Sequence, residues 1–98
     1  MWTKEALTKL QEIEEYISKD NPTIAVKFID KLISISDTLV ENPKKGRVVP
    51  ELAIENIREI LHRNYWIVYI IKETSIDILT VFERHKLFRK EEISNNIN

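Results

Sequence analysis

Few side chains in this 98-residue chain can do chemistry at neutral pH. There is no cysteine, which removes disulfides, thiolate zinc sites and cysteine nucleophiles, and the two histidines, His62 and His85, are too few for a metal site built from imidazoles. His85 has the intrinsic pKa of a general acid or base. Its neighbour Arg84, together with Arg63 and Arg58, carries a guanidinium able to grip phosphate oxygens through forked hydrogen bonds. The plainer readings are that Arg84 and Lys86 cap a sheet edge in water, that His85 packs or is solvated, and that His62 is a polar residue beside a turn. No phosphate-cradling glycine loop, Ser-His-Asp arrangement or HExxH helix is present, and the single glycine, Gly46, nearly excludes a nucleotide-binding loop. No cofactor and no metal are expected.

Other residues are candidates for contact with a substrate or partner. Trp66 and Tyr65 can stack on an unpaired base, an interaction of about 1–3 kcal/mol per base. They are equally suited to a core, and because neighbours on a strand face opposite ways only one of them can share the core under the helices. Lys44, Lys45 and Arg47 form a basic turn that attracts anionic partners by electrostatic steering or is simply a solvated loop. The net charge of −1 hides an asymmetry. Residues 1–43 hold five Lys against eight Asp or Glu, residues 44–90 hold ten Lys or Arg against six, and residues 91–98 add two Glu. A basic second half hints at an anionic partner, and a charged surface in water explains it as well.

These residues need a scaffold, and the apolar periodicity supplies one. Ala6, Leu7, Leu10, Ile13 and Ile17 recur at helical spacing from Thr3 to about Lys19, with Thr3 as N-cap. Asp20-Asn21-Pro22 breaks and restarts the chain, with Asn21 capping a second helix that buries Ala25, Phe28, Ile29, Leu32, Ile35 and Leu39 and stops at Asn42-Pro43. Two helices so closely joined form an antiparallel hairpin over residues 3–42. Val48-Val49-Pro50 reads as a short extended piece. The period then changes, and strands are expected at 57–62, 65–71 and 76–82, within a region of antiparallel strands over 56–83. Tyr65 to Ile71 is apolar or aromatic on both faces, which marks a central strand with the hairpin on one side and a C-terminal segment, partner or ligand on the other. Arg84 to Glu92 adds a helical turn at most, and residues 91–98 are expected to fray. The whole reads as one α+β domain over residues 1–98. No apolar stretch is long enough to span a membrane, and the N-terminus lacks a signal peptide's apolar run, so the expected compartment is the cytoplasm, with no membrane partner.

Five blocks in order and spacing resemble the RelE/ParE toxin superfamily: Trp2 to Leu7; Asp20-Asn21-Pro22; Asn42-Pro43 with Gly46-Arg47 and Pro50-Glu51-Leu52; Ile57-Arg58-Glu59 with Asn64 to Tyr69; and Ile78 to Phe82. The similarity spans roughly residues 2 to 88. It implies the toxin of a type II toxin–antitoxin pair, with a helical hairpin on a twisted antiparallel sheet, neutralised by a cognate antitoxin. Members commonly begin with a strand before the Trp-Thr-Lys-Glu-Ala stretch; only Met1 precedes Trp2 here, so that strand is expected to be truncated or the true start to lie upstream.

The resemblance implies two mechanisms. ParE-like members bind and stall DNA gyrase, and the long hairpin and the Ile57-Arg58-Glu59 block look more like that branch. RelE-like members cut mRNA in the ribosome without a metal, which takes a base for the ribose 2′-hydroxyl, an acid for the leaving oxygen and cations for the phosphorane charge. Arg84 and His85, helped by Arg63 and Arg58, are the residues for that chemistry, and His85-Lys86-Leu87-Phe88 is similar to the ending of some nuclease members. Against it, Ile57 and Glu59 stand near where the nuclease branch tends to place lysines. A pI of about 6.1 is also low for engaging ribosomal RNA by counterion release. A degenerate member that keeps the antitoxin surface without toxicity is the third reading.

Overall fold

The computed structural model describes residues 1–84. Helix α1 spans Lys4–Ser18 and helix α2 spans Pro22–Thr38. Both starts are local chemistry. The Thr3 hydroxyl accepts the Ala6 N–H at 3.1 Å, and the Asn21 side-chain oxygen accepts the Ile24 N–H at 3.1 Å, each satisfying an amide that has no partner within its helix. Pro22 opens α2 where a missing N–H costs nothing. A single 3₁₀ turn, Pro43–Lys45, follows.

Four strands then form one antiparallel sheet in chain order: β1 (Arg47–Val48), β2 (Ile57–His62), β3 (Tyr65–Ile71) and β4 (Ile76–Glu83). The expected short extended piece is therefore a true edge strand, shifted one residue earlier. Trp2 forms a parallel bridge with Ile78, and the Thr3 N–H and hydroxyl both donate to the Ile78 carbonyl, so the first residues lie along β4. The Trp2 indole donates to the Ser36 hydroxyl at 3.0 Å, tying that segment to α2.

β3 divides the core. On the helix side Ile67 and Tyr69 pack with Ala6, Leu10, Ile13, Ile29, Leu32, Leu39, Ile78 and Val81. On the other side Val68 packs with Val49, Ile57, Leu79 and Phe82, joined by Leu52, Trp66 and Ile70. Part of the second cover is thus the chain's own loop after β1, which contributes Val49 and Leu52. Tyr65 lies with the helices and Trp66 on the opposite side, as strand alternation requires. Two expectations fail: α2 ends at Thr38, short of the expected stop at Asn42-Pro43, and Leu7 is 52% exposed. Leu7 stands one residue, about 100° around the helix, from Ala6, and the stripe through Ala6, Leu10, Ile13 and Ile17 already fills the contact. The expected turn over Arg84 to Glu92 and the frayed tail lie outside the described residues.

The basic turn is fastened to β3 from below. The Tyr69 hydroxyl donates to the Pro43 carbonyl at 2.6 Å and accepts the Gly46 N–H at 2.9 Å. Gly46 is required for space and not for conformation, since its backbone is ordinary extended chain at φ −78°. A Cβ there would lie 2.6 Å from the Glu59 carbonyl oxygen and 2.7 Å from the Tyr69 hydroxyl. Gly46→Ala is expected to destabilise by about 1–3 kcal/mol through this overpacking. Tyr69→Phe is expected to cost about 1–3 kcal/mol by leaving a buried amide without its acceptor. Urea denaturation of the two variants checks both.

Candidate functional site

The candidate residues fall at two ends of the β2–β3 hairpin. At the β1 end, register sets Arg47 opposite Glu59 and Glu59 opposite Val68. The Arg47 Nε donates to Glu59 Oε2 at 2.7 Å, and its guanidinium carbon stands 4.6 Å from the centre of the Trp66 ring. The Glu59 side chain is fully buried while that of Arg47 is 55% exposed, so a desolvated carboxylate is held by a cation that reaches it from the solvent side. Trp66 therefore presents a ring already covered by a guanidinium on one face.

Arg58 uses three donors internally. Its Nη1 binds the Gly46 carbonyl at 3.0 Å, its Nη2 the Glu55 carboxylate at 2.6 Å and its Nε the Glu55 carbonyl at 3.1 Å, with the side chain only 11% exposed. It braces the turn before β1. Lys44 stands 3.9 Å from Glu55. Lys45 is exposed.

The other end gathers a different set. His62 pairs with Tyr65, which leaves Arg63 and Asn64 as a two-residue loop, with Arg63 at φ 54° in the left-handed region. The Arg84 N–H donates to the Asn64 carbonyl at 2.8 Å, so the chain leaving β4 is fastened to this loop and Arg63 and Arg84 share one end of the sheet. Arg58 is four positions from His62 along β2, about 13 Å away at strand rise, and does not join them. His85 and Lys86 lie outside the described residues.

Beside the loop, a cleft of about 630 Å³ is lined by Ile24, Lys27, Phe28, Lys31, His62 and Arg63. The Phe28 ring lies 5.6 Å from His62 and 5.3 Å from Tyr65, closing the floor. Burial, then Arg63 and Lys31, lower the His62 pKa below its ordinary 6.5. Burial, then Glu83 and Tyr16, raise that of Tyr65, which keeps its phenol neutral. Lys27 and Lys31 were not singled out by sequence reasoning. Their signal is faint: two lysines four residues apart on the flank of an amphipathic helix, beside Ile24 and Phe28 at the same spacing. No group of acidic or histidine side chains able to hold a metal occurs among the described residues. Nor is any helix among them long and apolar enough to cross a membrane.

This architecture, a helical hairpin on a four-stranded antiparallel sheet, is that of the RelE/ParE toxins. A solved structure described as a chromosomal ParDE TA system from P. aeruginosa superposes with a TM-score of 0.69 over 84% of this chain and 90% of its own, at 22% identity, which speaks to the fold alone. Residues 1–88 match the family described as ParE toxin of type II toxin-antitoxin system, parDE. Y4kP of Sinorhizobium fredii, a toxin by name, is 36% identical over 87 residues, covering 87% of this chain and 86% of that protein. Toxin RelE2 of Caulobacter vibrioides is 34% identical over 61 residues, covering 62% and 65%. The chain belongs to the ParE toxin family and is the toxin component of a type II toxin–antitoxin system.

Two outcomes are expected at this end of the sheet. In an NMR titration His62 should show a pKa below 6.5, rising toward that value in Lys31→Gln and Arg63→Gln. Because the folded chain then binds this proton less readily than the unfolded one, stability should fall as pH drops from 6.5 through the lower folded value. Arg63→Gly should leave stability unchanged or raise it by up to about 1 kcal/mol in urea denaturation. Relief of the left-handed conformation, about 1–2 kcal/mol, outweighs or balances glycine's extra unfolded-state entropy.

Proposed function

We propose that this toxin arrests growth by binding DNA gyrase and stalling it, with no bond made or broken by its own side chains, and that a cognate antitoxin neutralises it. The observation that carries this reading is the buried Glu59–Arg47 pair. Where RNA cleavage would call for free cations, the sheet holds a carboxylate that occupies the nearest arginine. Arg58, the second arginine of that region, is engaged with Glu55 and Gly46 and would have to abandon three hydrogen bonds to reach a phosphate. Likeness to a ParDE system supports an antitoxin as partner, and a gyrase target would put the action in the cytoplasm.

One observation favours ribosome-dependent mRNA cleavage as the second reading. Arg63 and Arg84 are brought to one end of the sheet through the Asn64 carbonyl, and the chain continues from there into His85. The relative named RelE2 is consistent with that reading.

The test is a tightly induced culture pulsed with labelled thymidine and labelled methionine, with purified toxin added to a gyrase supercoiling assay in parallel. Thymidine incorporation should fall first and supercoiling should stop, and Arg84→Ala with His85→Ala should leave both effects in place. Early loss of methionine incorporation that this double variant abolishes would establish the nuclease instead. No effect on either label would identify a degenerate member that only binds antitoxin.

A further inference from the structure

The cleft between α2 and the β2–β3 loop combines side chains that two other clefts among the described residues do not. One of those is lined by Lys9 with Glu12 and Glu83, and the other by Lys72 with Glu73, so each mixes charges of both signs. The cleft beside α2 has Lys27, Lys31 and Arg63 in its lining and no carboxylate. Arg63 and Lys31, after burial, oppose protonation of His62, so their fields reach into the cavity and do not stop at its rim.

The floor is apolar and aromatic. Phe28 and His62 are both half-buried, their ring centres 5.6 Å apart and their planes tilted by 34°. Ile24, 55% exposed, extends this floor by one turn of α2. The volume of about 630 Å³ lies within the range of small-molecule sites, roughly 300–1,000 Å³. Lys27 and Lys31 stand one helical turn apart, about 6 Å at helical rise, a spacing that lets two flexible ammonium groups close on adjacent phosphates. Arg63, carried on the two-residue loop, adds a planar fork suited to phosphate oxygens.

We propose that this cleft binds a nucleoside diphosphate or triphosphate, with its base against Ile24 and Phe28 and its phosphates held by Lys27, Lys31 and Arg63. Three cations around one cavity match a ligand that concentrates several negative charges in a small volume. A nucleic-acid strand carries only one charge per nucleotide and spreads them along its length. Inorganic phosphate or pyrophosphate would leave the apolar floor in water, whereas a flat base covers it. The proposal concerns reversible binding alone and does not rest on the gyrase reading.

ADP and GDP are the probes, each titrated into the isotope-labelled chain and followed by NMR of the amides and of the His62 ring. Adenosine, pyrophosphate and a single-stranded oligoadenylate serve as comparators. The nucleotides should move the amides of residues 24–31 and 62–63 together with the His62 ring. Adenosine and pyrophosphate should each bind about tenfold more weakly or worse, since each keeps only half of the recognition. Affinity for ADP should fall about tenfold, or 1.4 kcal/mol, both in Lys27→Gln with Lys31→Gln and in Ile24→Ser. Lys44→Gln with Lys45→Gln, the same charge change at the other end of the sheet, should have little effect. These substitutions are all at exposed positions, and a thermal melt of each confirms folding.

Absence of shifts with both nucleotides, shifts located elsewhere, or equal loss in the Lys44 and Lys45 variant would overturn the proposal. Pyrophosphate binding as tightly as ADP would also overturn it, reducing the cleft to a patch for any anion. Tighter binding of the oligoadenylate at the same amides would do so too and would assign the cleft to nucleic acid. Gyrase inhibition and growth arrest are read in separate assays, so failure of that mechanism leaves this titration interpretable, and the reverse holds.

Discussion

The structure depends on β3 being buried twice. Tyr65–Ile71 is bonded to β2 on one edge and β4 on the other, packed under the helices on one face and against Val49, Ile57, Leu79 and Phe82 on the second. A strand covered on both faces has no tolerance for a register slip, because shifting by one residue would exchange Ile67 and Tyr69 for Trp66, Val68 and Ile70. That rigidity is what allows the Tyr69 hydroxyl to act as a fixed post for Pro43 and Gly46. Through Gly46 it also sets where β1 begins and which residue faces Glu59.

Fixing β1 has an electrostatic consequence. Glu59 points into the layer behind the sheet, where an uncompensated carboxylate would cost several kcal/mol. Arg47 meets it because β1 delivers it to the opposing position, and Trp66 underlies the guanidinium. The same turn takes up Arg58 through the Gly46 carbonyl. Two of the chain's arginines are therefore committed to holding its shape. Arg63 and Arg84 stand at the far end of the hairpin, apart from the two braced arginines.

That separation bears on how a shared fold serves different toxins. Helices packed on an antiparallel sheet define the class and not the chemistry, which depends on which cations reach the surface and which are consumed inside. Here α2 contributes Lys27 and Lys31 to the same end as His62 and Arg63, next to the exposed Ile24. On that surface an exposed apolar side chain and the cations stand side by side.

The sequence alone determined the elements whose causes are local. Thr3 and Asn21 cap the two helices because each satisfies an amide three residues ahead, and the change of apolar period at Ile57 marks the sheet because strand alternation needs no distant partner to be visible. It also showed that Tyr65 and Trp66 would part to opposite faces, and that β3 is central. Leu7 was misread because periodicity locates a stripe but not its margin. What only the tertiary structure decided is the fate of each charge. Arg58 reads as a phosphate grip until the fold sets Glu55 and Gly46 against it, and Arg47 reads as a solvated turn residue until register brings it to Glu59, twelve positions away. Lys27 and Lys31 are ordinary helix lysines until packing sets them beside a loop more than thirty residues distant in sequence. A charged side chain takes its role from whatever stands within a few ångströms, and strand register and helix packing, not local spacing, settle what that is.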